Sequence, residues 1–101
     1  MPELHPYDVI RRPVITEKSN ILQDELNQYV FEVAPNANKF QIAEAIELIF
    51  DIDAEKILKV RTMVMPAKRG KRGRKFYIRH RQWKKAIVTL DDGASIEIFN
   101  V

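Results

Sequence analysis

Between Phe40 and Phe50 apolar residues recur at spacings of three and four. Phe40, Ile42, Ala43, Ile46, Ile49 and Phe50 make one broad apolar side, with Lys39, Glu44 and Glu47 on or near the other. This period predicts an amphipathic helix. Asn38 followed by Gln41 is a capping pair at its start, and Asp51-Ile52-Asp53 breaks the pattern at its end. A second, shorter helix is predicted over about residues 17–25, with Thr16 as N-cap and Glu17 in the first turn. Its apolar stripe, Ile21, Leu22 and Leu26, is narrow, which assigns it to the margin of the domain.

Other segments follow a period of two. From Gln28 to Val33, Tyr29, Phe31 and Val33 alternate with Gln28, Val30 and Glu32, as in a strand with one buried face. Ile57 to Met65 sets Leu58, Val60, Thr62 and Val64 against Lys59 and Arg61, although Met63 and Met65 fall on the basic side. Lys85 to Leu90 sets Ala86, Val88 and Leu90 against Lys85, Ile87 and Thr89. Asp91-Asp92-Gly93 is a hairpin signal that predicts a closing strand over Ser95–Phe99. Near the N-terminus, Pro6 begins a short helical turn, and Pro13 pushes Arg12 toward an extended conformation. The fold class is therefore α+β: an antiparallel sheet with a main helix packed on one face, a smaller N-terminal helix and a long basic inter-strand loop. Two layers are expected, three if the smaller helix covers the opposite face.

Charge changes the picture more than length does. The 101 residues fit a single domain spanning 1–101. Between Pro66 and Arg81 stand Lys68, Arg69, Lys71, Arg72, Arg74, Lys75, Arg79 and Arg81, eight cations in sixteen residues with no acid among them. The rest of the chain carries a net charge of −5 against a total of +3. Like charges this crowded repel one another, and a polyanion relieves the repulsion. Gly70 and Gly73 lower helix and strand preference within the run, which predicts an extended or hairpin-like excursion over about residues 65–82. A loop of that length in a compact domain implies function and ordering on a partner.

Catalysis finds little support. Cysteine is absent, His5 and His80 lie 75 residues apart without a metal-ligand spacing, and Ser19 and Ser95 sit in no nucleophile motif. The acidic pairs Asp51/Asp53 and Asp91/Asp92 are explained by turn formation. Lys68-Arg69-Gly70-Lys71 lacks the spacing of a nucleotide-binding loop. No cofactor, metal or small-molecule substrate is expected. Apolar runs fall far short of the ~20 residues that span a bilayer. The opening Met1-Pro2-Glu3-Leu4-His5-Pro6 is unlike a signal peptide, so a soluble protein kept where it is made is the expectation.

RNA accounts for the basic run better. Arginine, five of the eight cations, pairs in a fork with phosphate oxygens. Lys84 and Lys85 extend the basic set, while Phe76, Tyr77 and Trp83 are candidates for stacking on unpaired bases. For Trp83, packing at the root of the excursion is an equally good reading. Phosphate contacts position without specifying sequence, so specificity falls to the shape of a folded RNA. Two rivals are a free-standing RNA- or DNA-binding module and a protein-only adaptor whose arm takes an acidic partner.

Three stretches resemble the family of large-ribosomal-subunit protein twenty-three. They are Arg12-Pro13-Val14-Ile15-Thr16-Glu17-Lys18, then Asn38-Lys39-Phe40-Gln41-Ile42 running on to Ile49-Phe50-Asp51-Ile52, and Trp83-Lys84-Lys85-Ala86-Ile87-Val88-Thr89-Leu90, the most specific. With the glycine-containing basic loop, the resemblance covers about residues 9–99 and is of bacterial or organellar type. It implies a structural protein that binds large-subunit rRNA early in assembly, beside the mouth of the polypeptide exit tunnel, in the cytoplasm or an organelle. The resemblance further implies that the loop runs along the tunnel wall near the nascent chain. The globular part would contact a neighbouring small helical ribosomal protein and serve as docking point for trigger factor and the signal recognition particle. The family's chaperone-contacting acid matches Glu17. Capping of the helix is that residue's other reading.

Overall fold

The computed structural model describes residues 5–72 and 75–96, with residues 68–72 and 75–80 as backbone alone. Pro6 opens a one-turn helix, α1 (Pro6–Val9), whose N-cap His5 accepts from the Tyr7 amide at 3.3 Å. Helix α2 (Glu17–Leu26) begins with a reciprocal cap: the Thr16 hydroxyl accepts from Ser19 N–H at 3.1 Å and the Ser19 hydroxyl accepts from Thr16 N–H at 2.7 Å. Helix α3 (Lys39–Phe50) uses the same device, Asn38 against Gln41, at 2.8 and 2.9 Å. Each cap satisfies donors that a helix start otherwise leaves open. Both long helices stop on a left-handed residue, Asn27 (φ 50°) and Asp51 (φ 54°). Asn and Asp tolerate that conformation better than most residues because their short side chains bond locally.

Four strands form the main sheet in the order β1-β2-β6-β3, comprising β1 (Ile10–Pro13), β2 (Gln28–Val33), β3 (Ile57–Met65) and β6 (Trp83–Leu90). Every pairing is antiparallel. Since β2 and β3 both run against β6, they are parallel to each other, and α3 makes the crossover between them. No alternation in the sequence predicts β1, a strand only four residues long. Its ladder continues through Val14 N–H to Val30 O and Ala34 N–H to Val9 O, both at 2.9 Å.

The core lies between α3 and one sheet face. Tyr29, Phe31 and Val33 of β2 and Ala86, Val88 and Leu90 of β6 meet Ile42, Ala45 and Ile46, with Val9 and Ile96 closing the ends. Phe31 and Phe50 rings sit 5.7 Å apart. The alternation read from β2 is correct for this face, but the opposite face is covered too. Val30 and Ile87, register partners there, are both buried, beneath α2. The domain therefore has three layers at that point.

Three expectations need correction. Phe40 is 86% exposed rather than part of the core stripe. Two residues before Ile42 is about 200° of helix rotation, so Phe40 turns out of the core and lies on the surface beside Leu58 and Lys59 of β3, and Ala45 takes the inner position. Leu58 is 61% exposed, because a bulge between Ile57 and Lys59 makes it the surplus residue and hands the core contact to Ile57. Of the strand expected over Ser95–Phe99, Ser95 and Ile96 are not strand, and 97–99 lie outside the described residues. The turn at Asp92-Gly93 is present, but β6 already has β2 on one edge and β3 on the other. No edge remains for a hairpin partner.

The segment after β6 is held instead by Asn27. Its amide nitrogen donates to the carbonyls of Leu90 (3.3 Å), Asp91 (2.9 Å) and Ala94 (2.9 Å), and its oxygen accepts from the Tyr29 hydroxyl at 3.0 Å. Removing such a hub leaves several part-buried polar groups without partners. Asn27→Ala is expected to lower stability by about 1–3 kcal/mol, read from chemical denaturation midpoints. Ile46, fully buried at the centre of the core, is the more sensitive site. Ile46→Asp buries an unpaired carboxylate and is expected to abolish the cooperative unfolding transition followed by circular dichroism.

Candidate RNA interface

The basic run folds as a two-stranded ribbon, β4 (Lys68–Arg72) and β5 (Lys75–His80), in a separate sheet from the core. Its register sets Arg69 opposite Ile78, Lys71 opposite Phe76 and Arg72 opposite Lys75. A hairpin answers the sequence expectation of an excursion and replaces the structureless loop with a paired backbone. Lys68, Arg69, Lys71 and Arg72 thus stand on β4, and Lys75, Phe76, Tyr77 and Arg79 on β5; Arg74 lies outside the described residues.

The ribbon returns to the body through Arg81 and Gln82 into Trp83, the first residue of β6. A cleft of about 300 Å³ opens at this root, lined by Arg11, Arg12, Glu32, Val33, Pro35, Arg81, Gln82, Trp83 and Lys84. Four cations thus surround one carboxylate. That carboxylate is engaged: the Arg12 guanidinium donates to Glu32 Oε1 from Nε at 3.1 Å and from Nη2 at 2.9 Å. Arg11 and Arg81 are exposed beside this pair. A β-bulge between Ile10 and Arg12 makes Arg11 the unpaired extra residue of β1, a device that re-aims a side chain. Trp83, half-buried opposite Met65, forms one wall of the cleft, so it does pack at the root.

Lys84 and Lys85 part company because adjacent strand residues face opposite ways. The Lys84 ammonium donates to the Ala37 carbonyl and secures the turn before α3. Lys85 instead lines a separate groove under α2 together with Lys18 and Arg61. Glu17, first residue of α2, is exposed. Sequence reading singled out the run and its flanks but missed Arg11, Arg12, Lys18 and Arg61 as members of basic surfaces. The one local signal was the alternation that put Lys59 and Arg61 together on a strand face.

Among the described residues no group of three or more His, Asp or Glu is placed to hold a metal ion, and no helix is long and apolar enough to cross a membrane. What the arrangement offers is spread positive charge with an aromatic wall, suited to phosphate oxygens and bases rather than to bond-making chemistry.

The family model described as Ribosomal protein L23 matches residues 8–98. The large ribosomal subunit protein uL23 of Desulfatibacillum aliphaticivorans is 50% identical over 97 residues, covering 96% of this chain and 98% of that protein. Its counterpart from Aquifex aeolicus is 44% identical over 100 residues (97% and 94%), and that from Hyphomonas neptunium 48% over 94 residues (93% and 90%). Matches of this extent and identity, on a basic ribbon rooted in an α+β body, place the chain in the ribosomal protein L23 family, of bacterial type.

Proposed function

We propose that the chain holds large-subunit rRNA through the β4–β5 ribbon and the cleft at its root, and that it forms part of the wall and rim of the polypeptide exit tunnel. As a ribosomal protein of this family it is an RNA-binding structural protein and not an enzyme. The observation that carries the finer reading is the separation of charge. Eight cations occupy residues 66–81, while the remaining residues sum to −5. The acidic body can thus remain compact without RNA, whereas the ribbon gains most from phosphates that neutralise it.

Lys68, Arg69, Lys71, Arg72, Arg74, Lys75, Arg79 and Arg81 are assigned to phosphate contact, joined by Arg11 from the cleft. Lys85 contributes from the sheet face. Lys84 contributes through the charge it brings to the cleft wall while holding Ala37. Phe76, Tyr77 and Trp83 are assigned to stacking, which in Trp83 is compatible with a half-buried ring that keeps one side on the cleft. The ribbon would pass the nascent chain, and the body would meet a neighbouring small helical ribosomal protein. Glu17 is assigned to the docking of trigger factor, and the globular body as a whole to that of the signal recognition particle. Exposed in the first turn of α2, the Glu17 carboxylate is favoured by the helix dipole and is open to a basic partner.

Two measurements test these assignments. Replacing Arg69, Lys71 and Arg72 together with Ala is expected to weaken binding to large-subunit rRNA. It should also flatten the salt dependence, by about 0.9 in log–log slope for each phosphate no longer neutralised. An unchanged slope would defeat the assignment. Glu17→Lys is expected to reduce recruitment of trigger factor to ribosomes while leaving rRNA association intact. Equal recruitment by ribosomes carrying either residue would remove Glu17 from the docking surface.

A further inference from the structure

The sheet face opposite α3 is only partly covered. Helix α2 lies over Val30 and Ile87 but leaves a groove of about 330 Å³ between itself and β3. Strand register explains what lines it. Ile87 pairs with Val30 on one side and Arg61 on the other, and Lys85 pairs with Met63, so these side chains share one face. Leu22 of α2 completes an aliphatic floor, and Lys18, Arg61 and Lys85 stand at the rim. Among the described residues no lining residue is acidic. Glu32, the register neighbour of Lys85, is already bonded by both Arg12 nitrogens at 2.9 and 3.1 Å.

We propose that this groove binds the base of a single unpaired RNA nucleotide, with the flanking phosphates against Lys18, Arg61 and Lys85. The inference rests on the reading that the chain binds rRNA and adds a second contact apart from the ribbon. Complementarity carries it. A duplex presents mainly phosphates to a protein surface and gives no use to an aliphatic floor. A splayed-out nucleotide offers an apolar face and a negative charge together, and protein sites for unpaired nucleotides combine base contact with cationic grooves. The volume lies at the small end of the about 300–1,000 Å³ usual for small-molecule sites, which suits one base rather than a stacked run. Arg61 can lie flat on the base, and the Gln28 side chain, also lining the groove, can accept from a base edge through its oxygen while its nitrogen donates to the Thr89 hydroxyl at 3.3 Å.

Large subunits assembled with a photoreactive p-benzoyl-phenylalanine in place of Met63, a residue 39% exposed at the groove, test this directly. Irradiation is expected to crosslink the chain to large-subunit rRNA at an unpaired nucleotide. The 2′-hydroxyl acylation of that nucleotide should fall when wild-type protein binds. Crosslinks to paired nucleotides, to a protein segment or to nothing overturn the proposal. A second variant avoids the bulky probe. Arg61→Ala with Lys85→Ala is expected to weaken binding to large-subunit rRNA about tenfold, the order expected from one base interaction. It should unprotect that nucleotide while leaving ribbon-dependent protections in place. Unchanged protection overturns the groove site but leaves rRNA binding by the ribbon standing. Failure of the wild-type chain to bind the rRNA at low salt overturns the underlying reading instead.

Discussion

Strand β6 is hydrogen-bonded along both edges, to β2 through the Lys84–Thr89 stretch and to β3 from Trp83 to Leu90. Backbone groups in the middle of a sheet have no water to turn to, so a fully paired central strand fixes its neighbours closely. Here it fixes more than the sheet. One face of β6 delivers Ala86, Val88 and Leu90 to the core. Its first residue, Trp83, marks where the basic ribbon leaves the body. Its last residue hands the chain to the Asn27 hub. Core, ribbon root and C-terminal turn therefore share one support.

Charge is arranged around that support unevenly. Cations converge at the ribbon root and on the sheet face beneath α2, whereas Glu44, Asp51, Asp53 and Glu55 are exposed on and just after α3. The helix that closes the core thus turns an acidic side away from the domain. Charges of opposite sign on separate surfaces give such a small body a preferred orientation toward a polyanion, which a uniformly basic domain would lack. The Arg12–Glu32 pair at the cleft follows the same logic. It is mostly a matter of geometry, since Arg12 is 73% exposed and an ion pair so open contributes little stability. What it does is hold one guanidinium in place while Arg11 and Arg81 stay available.

Much of this could be read from the chain directly. Thr16 and Asn38 announced their helices because capping is a matter of three or four consecutive residues. The strands at Gln28–Val33, Ile57–Met65 and Lys85–Leu90 were legible because a period of two survives whatever the sheet later does. The errors arose where a residue had to be compared with something distant. Phe40 looked like part of an apolar stripe until its angle to the sheet was known. Val30 looked solvent-facing because nothing local says that α2 folds over it. Asp91-Asp92-Gly93 looked like the start of a hairpin with β6 because the turn is genuine, and only the strand order withholds an edge of β6 from it.

The sequence alone determined the two long helices with their caps, the strands β2, β3 and β6, and the concentration of positive charge in residues 66–81, all of which depend on neighbours within a few positions. The tertiary structure alone decided which cations meet. Arg11 and Arg81 are seventy residues apart in the chain yet line one cleft, and Lys18, Arg61 and Lys85 come from a helix and two strands to rim one groove. Strand order and the hand of the α3 crossover bring them together, and those follow from closing a whole sheet over one core, which no short stretch of sequence encodes.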